Sequence, residues 1–326
     1  MSKRTKTVMK NLLSDVLQVF LILVGITLLA FLLLYLSPGN PAQIALVGTD
    51  GNVGMISEEA LHQQEELMGL NQSFFAQYWT WLKHACTGDL GMSFMAQEPV
   101  TQVLGERMMP TILMTLFSLL LTIVVSIPLG ILCAVKQDRW VDNLMRVFSF
   151  IGISIPSFVL GVLFLWLFCI KLRWFTIVPM SGAAGLVLPI LVLALQTTAK
   201  MTRQVRAIVL DELHKPYVEG ALMRGAGERD ILFSHVLKNS AAPILTNISI
   251  YAGALLGGSV VIESIFSVNG LGRMAISAVG NLDYNLVLGF VLWCTLVYLI
   301  LNLLADILAA VIDPRIKYTR KEKTRR

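Results

Sequence analysis

The residues with the most chemistry at close spacing lie in one polar stretch, Tyr217-Val-Glu-Gly-Ala-Leu-Met-Arg-Gly225, which runs on to His235-Val-Leu-Lys-Asn239. Glu219, Arg224, Arg229 and His235 supply charge of both signs. Gly220, Gly225 and Gly227 supply backbone freedom for a tight turn. In a chain that is only 14% charged, a segment of this kind reads as a surface for a soluble partner, and not as a reaction centre.

Other groupings fail the requirements of chemistry. His62 and Glu66 sit four apart on a predicted helix, as metal ligands can, but no third ligand stands near them and a solvated pair is the simpler reading. No G-x-x-x-x-G-K-[ST] phosphate loop occurs, nor H-E-x-x-H or G-x-S-x-G. The four histidines, His62, His84, His214 and His235, all fall outside the long charge-free windows, so no Ser–His pair is available within them. Cys86, Cys133, Cys169 and Cys294 show no C-x-x-C pairing and read as small apolar residues. We expect no catalytic residue, no metal site and no cofactor held by this chain.

The elements that must position the polar stretch are apolar helices. The chain of 326 residues is 56% hydrophobic, and its mean hydropathy is +0.71. A globular domain would carry about 25% charge. A spanning helix needs about 20 residues with few or no charges. Six windows meet this: 16–49, 108–135, 147–170, 174–199, 239–262 and 284–305. The first ends at Ser37-Pro38-Gly39, where Pro and Gly stop a helix. Its apolar run from Val19 is too long for a signal-peptide core, so an uncleaved first helix is expected. With the N-terminus in the cytoplasm, 21 Lys and Arg residues fall on the cytoplasmic side and five, Lys83, Arg107, Lys171, Arg173 and Arg273, on the outer side. The positive-inside rule therefore places both termini in the cytoplasm. The fold class is an all-α integral membrane protein with six transmembrane helices. The expected organisation is residues 1–36 as N-terminal tail and first helix, 37–107 as an extracytoplasmic helical loop, and 108–312 as a membrane core with a cytoplasmic loop at 203–240. Residues 313–326 form a basic tail able to touch anionic lipid. Nucleic acid is not an expected partner.

Ser57 followed by Glu58-Glu59 reads as a helix start, and Gly69 as a stop. Gln77-Tyr-Trp-Thr-Trp-Leu82 reads as an aromatic helix at the membrane interface. Pro128 and Pro156 are expected to bend their helices, with neighbours satisfying the freed carbonyls. Gly253, Gly257 and Gly258 on the fifth helix allow close approach, within the chain or to a second subunit. Glu263, at the outer end of that helix, is a candidate for the same packing or pathway role, and Asp306 lies toward the inner end of the sixth. No charge crosses a bilayer centre, which argues against a proton-coupled carrier.

For the polar stretch, Pro216 favours the first position of a helix over Tyr217–Met223, Gly225 and Gly227 allow a turn, and Glu228–Lys238 forms a second helix. On spacing alone two readings stand: a helix–turn–helix knob for a soluble partner, or a basic helix lying on lipid.

At this point a resemblance enters. Glu219-Gly220-Ala221-x-x-x-Gly225 resembles the E-A-A-x-x-x-G motif of ABC importer permeases, and the chain is similar to the first permease of dipeptide, oligopeptide and nickel importers. Pro38-Gly39-Asn40-Pro41, Gly69-Leu70-Asn71, Gly88-Asp89-Leu90-Gly91-x-Ser93, Glu263-x-Ile265-Phe266, Gly270-Leu271-Gly272, Asp283-Tyr284 and Asp313-Pro314-Arg315 match that family's pattern. Gly220 replaces the usual Ala or Thr, His235-Val-Leu-Lys238 stands where other importers carry I-x-L-P, and Asn269 replaces a frequent Pro.

The resemblance implies a type I ABC importer permease fold in a bacterial inner membrane. Its implied partners are a second homologous permease, two cytoplasmic ABC ATPases that bind ATP and Mg²⁺, and an extracytoplasmic binding protein. It also implies that the 217–227 helix docks in the ATPase. Tyr217, Glu219, Gly220, Ala221, Arg224, Gly225, Gly227, Arg229 and His235 would then form the coupling site. Glu219 and Ala221 would face the ATPase or brace the helix. The segment Lys171–Gly185 is short, which leans the cargo toward nickel or a metal chelate over short peptides. A passive channel or membrane-anchored interaction protein is the alternative from another class.

Overall fold

The computed structural model describes residues 3–47, 57–176 and 183–312. The tail 313–326, Asp313-Pro314-Arg315 within it, Asp50, and residues 177–182 of the Lys171–Gly185 segment lie outside them, as does the side chain of Asp306. Among the described residues the secondary structure is helical, with one isolated β-bridge between Met92 and Pro99.

Among the described residues five helices are long and apolar enough to cross a membrane: Leu17–Tyr35, Val100–Val135, Ala184–Leu213, Glu228–Ile265 and Tyr284–Ala309. A sixth span exists if a broken pair, Trp140–Ser154 with Ser157–Lys171, counts as one; its halves meet at 98°. The third span expected over 147–170, with a bend at Pro156, is thus two helices. Pro156 is the cause. It pushes Ile155 into an extended conformation, φ −86° and ψ 123°, and ends the first half there. The carbonyl of Ile155 accepts instead from the Gln196 side-chain amide at 3.0 Å.

In chain order the helices are α1 (Lys3–Tyr35), α2 (Pro41–Val47), α3 (Glu58–Leu67), α4 (Phe74–Cys86), α5 (Val100–Val135), α6 (Trp140–Ser154) and α7 (Ser157–Phe164). After a π-helical turn at Leu165–Lys171 come α8 (Val187–Leu213), α9 (Pro216–Met223), α10 (Glu228–Ile231), α11 (Leu237–Ile265), α12 (Leu271–Gly280) and α13 (Tyr284–Ile312). A second π-turn, Leu232–Val236, joins α10 to α11. The fourth span therefore lies later than the window 174–199. Lys200 and Arg203 do not stop α8, because nothing breaks its backbone before Pro216.

The chain divides into two compact units. The first gathers Met1–Met109 and Asn269–Leu299. Its core packs Phe31 and Leu34 of α1, Tyr78 and Trp81 of α4, Val100 and Leu104 of α5, and Leu271, Met274 and Leu288. Ser57 caps α3, accepting from the Ala60 N–H at 3.2 Å, as its position before two acids predicts. The aromatic helix α4 does more than lie at an interface. Trp79 is exposed, but Tyr78 and Trp81 are buried, and the Tyr78 hydroxyl lies 2.9 Å from Thr27 Oγ1.

The second unit gathers Pro110–Val268 and Ile300–Arg326. Here α8 is central: α5 comes so close that a Cβ at Gly130 would lie 2.6 Å from Val205, and α6 so close that one at Gly152 would lie 2.6 Å from Ala199. Thr111, Thr115, Ser118, Thr122 and Ser126, spaced three or four apart on α5, are all buried. Ser118 donates to the Ile190 carbonyl at 3.2 Å. Hydroxyls at such spacing hold helices together in an apolar medium. Asp142 on α6 is fully buried and is bonded by Arg206 Nε and Nη2 of α8, at 2.6 and 2.7 Å, and by Arg146 Nη2 at 2.9 Å.

Candidate functional site

The polar stretch folds as a short helix between two long ones. Lys215 is extended, φ −75° and ψ 145°, as a residue before proline must be, and Pro216 takes the first helical position of α9. The far end closes with two backbone bonds: Gly225 N–H to the Leu222 carbonyl at 2.9 Å, and Ala226 N–H to the Ala221 carbonyl at 3.2 Å. This is a Schellman closure, which requires a left-handed residue after the cap. Gly225, with φ +81°, is that residue.

Gly227 has a different role from the one expected. It adopts φ −67° and ψ 141° and serves as the N-cap of α10, a conformation open to any residue. The second helix is also not separate. Glu228–Lys238 is the beginning of the fifth span, entered through the π-turn, so the two-helix knob is a single short helix followed by a bend. Of the segment 203–240, α8 takes residues through Leu213, which leaves residues 214–227 as the projecting part.

The residues of the motif separate by exposure. Val218 and Ala221 point into a core with Met201, Val205 and Val209 of α8 and with Ile231 and Val236. Ala221 is therefore on the buried side of the helix. Tyr217 is half-buried, and burial pushes its phenol up, so the hydroxyl stays protonated. Glu219, Arg224, Gly225, Gly227, Arg229 and His235 are exposed, and Gly220 is half-buried. Three apolar side chains that the motif does not name are also exposed in this segment, Leu222 at 45%, Met223 at 86% and Phe233 at 68%. A short helix that turns charge and bare apolar surface outward, while a buried face fixes it below, has the form of a docking surface.

One residue tying this site together was missed by reading the motif from Tyr217 onward. Glu212, in the last turn of α8, is 7% exposed. Its Oε1 accepts from the Tyr217 hydroxyl at 2.9 Å and from Asn239 Nδ2 at 3.1 Å, and Lys215 Nζ pairs with its Oε2. A carboxylate four residues before Pro216, with Lys215 between them, was the available signal.

The packing candidates behave differently from one another. Glu263 is fully buried and accepts from Thr111 Oγ1 at 2.8 Å. Gly253 is half-buried, and a Cβ placed on Gly257 or Gly258 would meet nothing within 4 Å. Those two glycines are not used for close packing inside the chain. Among the described residues no group of three His, Cys, Asp or Glu is placed to hold a metal ion.

Two motifs far apart in sequence meet in the first unit. Ser93 Oγ donates to Asp283 Oδ2 at 2.6 Å, the Met95 N–H reaches the same oxygen at 3.2 Å, and Asn285 Nδ2 donates to the Met92 carbonyl at 3.0 Å. Gly88-Asp89-Leu90-Gly91-x-Ser93 and Asp283-Tyr284 are therefore one structural feature.

The sequence matches two family models: binding-protein-dependent transport system inner membrane component over residues 126–318, and the N-terminal membrane component of such systems over residues 8–115. It is 33% identical over 311 residues to the glutathione transport system permease protein GsiC of Escherichia coli K12, covering 95% of this chain and 98% of that one. It is also 33% identical over 308 residues to the nickel import system permease protein NikB of Staphylococcus aureus USA300, covering 94% and 92%. Among solved structures, an inward-facing MetNI methionine ABC transporter aligns with a TM-score of 0.53 at 19% identity, covering 65% of this chain and 97% of that one. That likeness establishes the fold, a type I ABC importer permease.

Proposed function

The chain belongs to the binding-protein-dependent transport system inner membrane components, as a permease subunit of an ABC importer in a bacterial inner membrane, and from that premise we propose that α9 is its docking element for a cytoplasmic ATPase. The observation that carries this reading is the exposed surface of Glu219, Met223 and Arg224 on a helix fixed by a Schellman turn, with Phe233 exposed in the π-turn that follows. Both termini then lie in the cytoplasm, and residues 37–107 lie outside, where a binding protein delivers cargo.

Partner ATPases hold ATP and Mg²⁺. Closing of their dimer pushes on α9, and the motion passes to α8 and α11, opening the pathway outward; hydrolysis returns it. A second, homologous permease completes the pathway. The unpacked Gly257 and Gly258 on α11 supply a flat surface on which such a subunit can approach closely.

The cargo we propose is a nickel or other metal chelate, or a short peptide. The relatives named for glutathione and for nickel stand at equal identity and support both; the short Lys171–Gly185 segment leans the reading toward the chelate. Titration of the cognate binding protein with a nickel(II) chelate and with glutathione decides between them.

The docking reading is tested by Gly225→Val. A β-branched residue at φ +81° costs about 1–2 kcal/mol or more and unseats the turn. We expect the complex to hydrolyse ATP without importing cargo. Unchanged import with unchanged stimulation of the ATPase would remove α9 from the coupling role.

A further inference from the structure

We infer that Glu212 is the positioning residue of the α9 knob, the group that locks the short helix to the two long helices it must move. The inference rests on the docking role of α9 proposed above.

α9 cannot hold its place alone. It has eight residues, little more than two turns, and an isolated helix of that length is unstable. Its apolar anchors, Val218 and Ala221, decide which face is down. Apolar contact is non-directional, so it does not by itself prevent a slide along α8. The directional contacts come from Glu212.

One carboxylate there receives three donors from three places. Lys215 is the N-cap of α9, Tyr217 lies in its first turn, and Asn239 lies at the start of α11. Asn239 Nδ2 also lies 3.3 Å from the Tyr217 hydroxyl, which closes a triangle of hydrogen bonds. Bonds to an ionised acceptor are about twice as strong as neutral ones. A buried charge is tolerated only when it is paired in this way. The end of α8, the start of α9 and the start of α11 therefore share one joint. Asp211, the residue before Glu212, is exposed and takes no part in it. A push on Met223 at the tip of α9 is delivered through this joint to α8 and α11 together.

The test uses the complete transporter in proteoliposomes, with its partner permease, ATPases and binding protein, and either a nickel(II)–histidine chelate or glutathione as cargo. The measured quantity is ATP hydrolysed per cargo molecule imported. Loss of folded complex lowers hydrolysis and import in step and leaves that ratio alone. Glu212→Ala should raise it about tenfold, the scale of losing bonds to a charged acceptor. Glu212→Gln keeps an oxygen for Tyr217 and Asn239 and loses the charge and the acceptor that face Lys215, whose half-exposed ammonium can turn to water, so it should stay within about twofold of the unsubstituted ratio. Tyr217→Phe should fall between the two. A photoreactive benzophenone side chain at position 223 reports docking separately, by cross-linking to the ATPase.

A wild-type ratio in Glu212→Ala, with the cross-link present, overturns the positioning role and leaves docking intact. No cross-link in the otherwise unsubstituted chain overturns docking itself. If Glu212→Ala does not accumulate, Tyr217→Phe decides: a raised ratio supports the joint, and a wild-type ratio overturns it.

Discussion

The motif residues of the first unit and those of the α9 bend are built in opposite ways. In the first unit the residues that join the motifs are buried and bonded to one another: Asp283 is 0% exposed and bound by Ser93 and the Met95 N–H. In the bend the charged residues are exposed, and among the described residues Glu219, Arg224 and Arg229 form no ion pair. The Schellman closure is local to the motif, while the side-chain bonds that tie the bend to α8 and α11 come from outside it, from Glu212 and Asn239. The difference teaches that a recurring sequence pattern can preserve a shape in one place and present a surface in another, and that burial tells the two apart.

The largest effect that tests this contrast is on stability. Asp283→Ala leaves the Ser93 hydroxyl and the Met95 and Leu286 N–H groups without their acceptor. Stranding buried donors costs about 1–3 kcal/mol each, so a loss of about 3 kcal/mol or more is expected. Met223→Ser, at an exposed tip, should move stability by no more than about 0.5 kcal/mol while weakening the ATPase interaction. Thermal midpoints of the detergent-solubilised complex measure both. Equal shifts would erase the distinction between shape-keeping and surface-presenting motifs.

Much of this was legible in the sequence, for reasons that also explain what was not. The six charge-free windows located the spans because lipid forbids unpaired charge wherever it meets the chain. The same criterion hid Glu212 and Asp142, which lie between windows and so read as loop. Each is buried because a partner 27 or 64 residues away supplies donors, which no local pattern announces. Pro156 signalled a bend but not 98°, since the angle depends on what the second half packs against. Gly225 was readable because its backbone demand is local. The extended Gly227 was not, because glycine permits the conformation without requiring it. The pairing of Ser93 with Asp283 spans 190 residues. Each half was visible as a motif and the contact was not.

A smaller effect sharpens the picture of the bend. Gly220 sits in the interior of α9, where glycine costs about 0.5–1 kcal/mol relative to alanine. A Cβ there would meet only the Arg224 guanidinium, at 3.6 Å, an ordinary contact. Gly220→Ala should therefore stabilise α9 by that amount, and slow amide hydrogen exchange across residues 217–223. If exchange slows and coupling is lost, the glycine is kept for close approach by the partner. If exchange does not slow, α9 is not held as an eight-residue helix in solution.

The smallest expected effect tests whether every bond in the first unit matters as those of Asp283 do. Asp89 accepts from the Gly91 N–H at 2.9 Å and lies 3.2 Å from His84 Nδ1, with both side chains more than half exposed. The Gly91 N–H, and after it His84, hold the Asp89 carboxyl below its ordinary value of 3.8. A carboxyl lowered in the folded state adds stability that is present above 3.8 and is lost as pH falls through its folded value. The gain is small because water and salt screen an exposed pair. Asp89→Asn keeps an oxygen for Gly91 and removes the charge. Its thermal midpoint should match the unsubstituted complex below the folded value and fall slightly short of it near neutrality, with the shortfall shrinking in high salt. A shortfall as large as that of Asp283→Ala would mean that the exposed turn, and not the buried carboxylate, holds the motif in place.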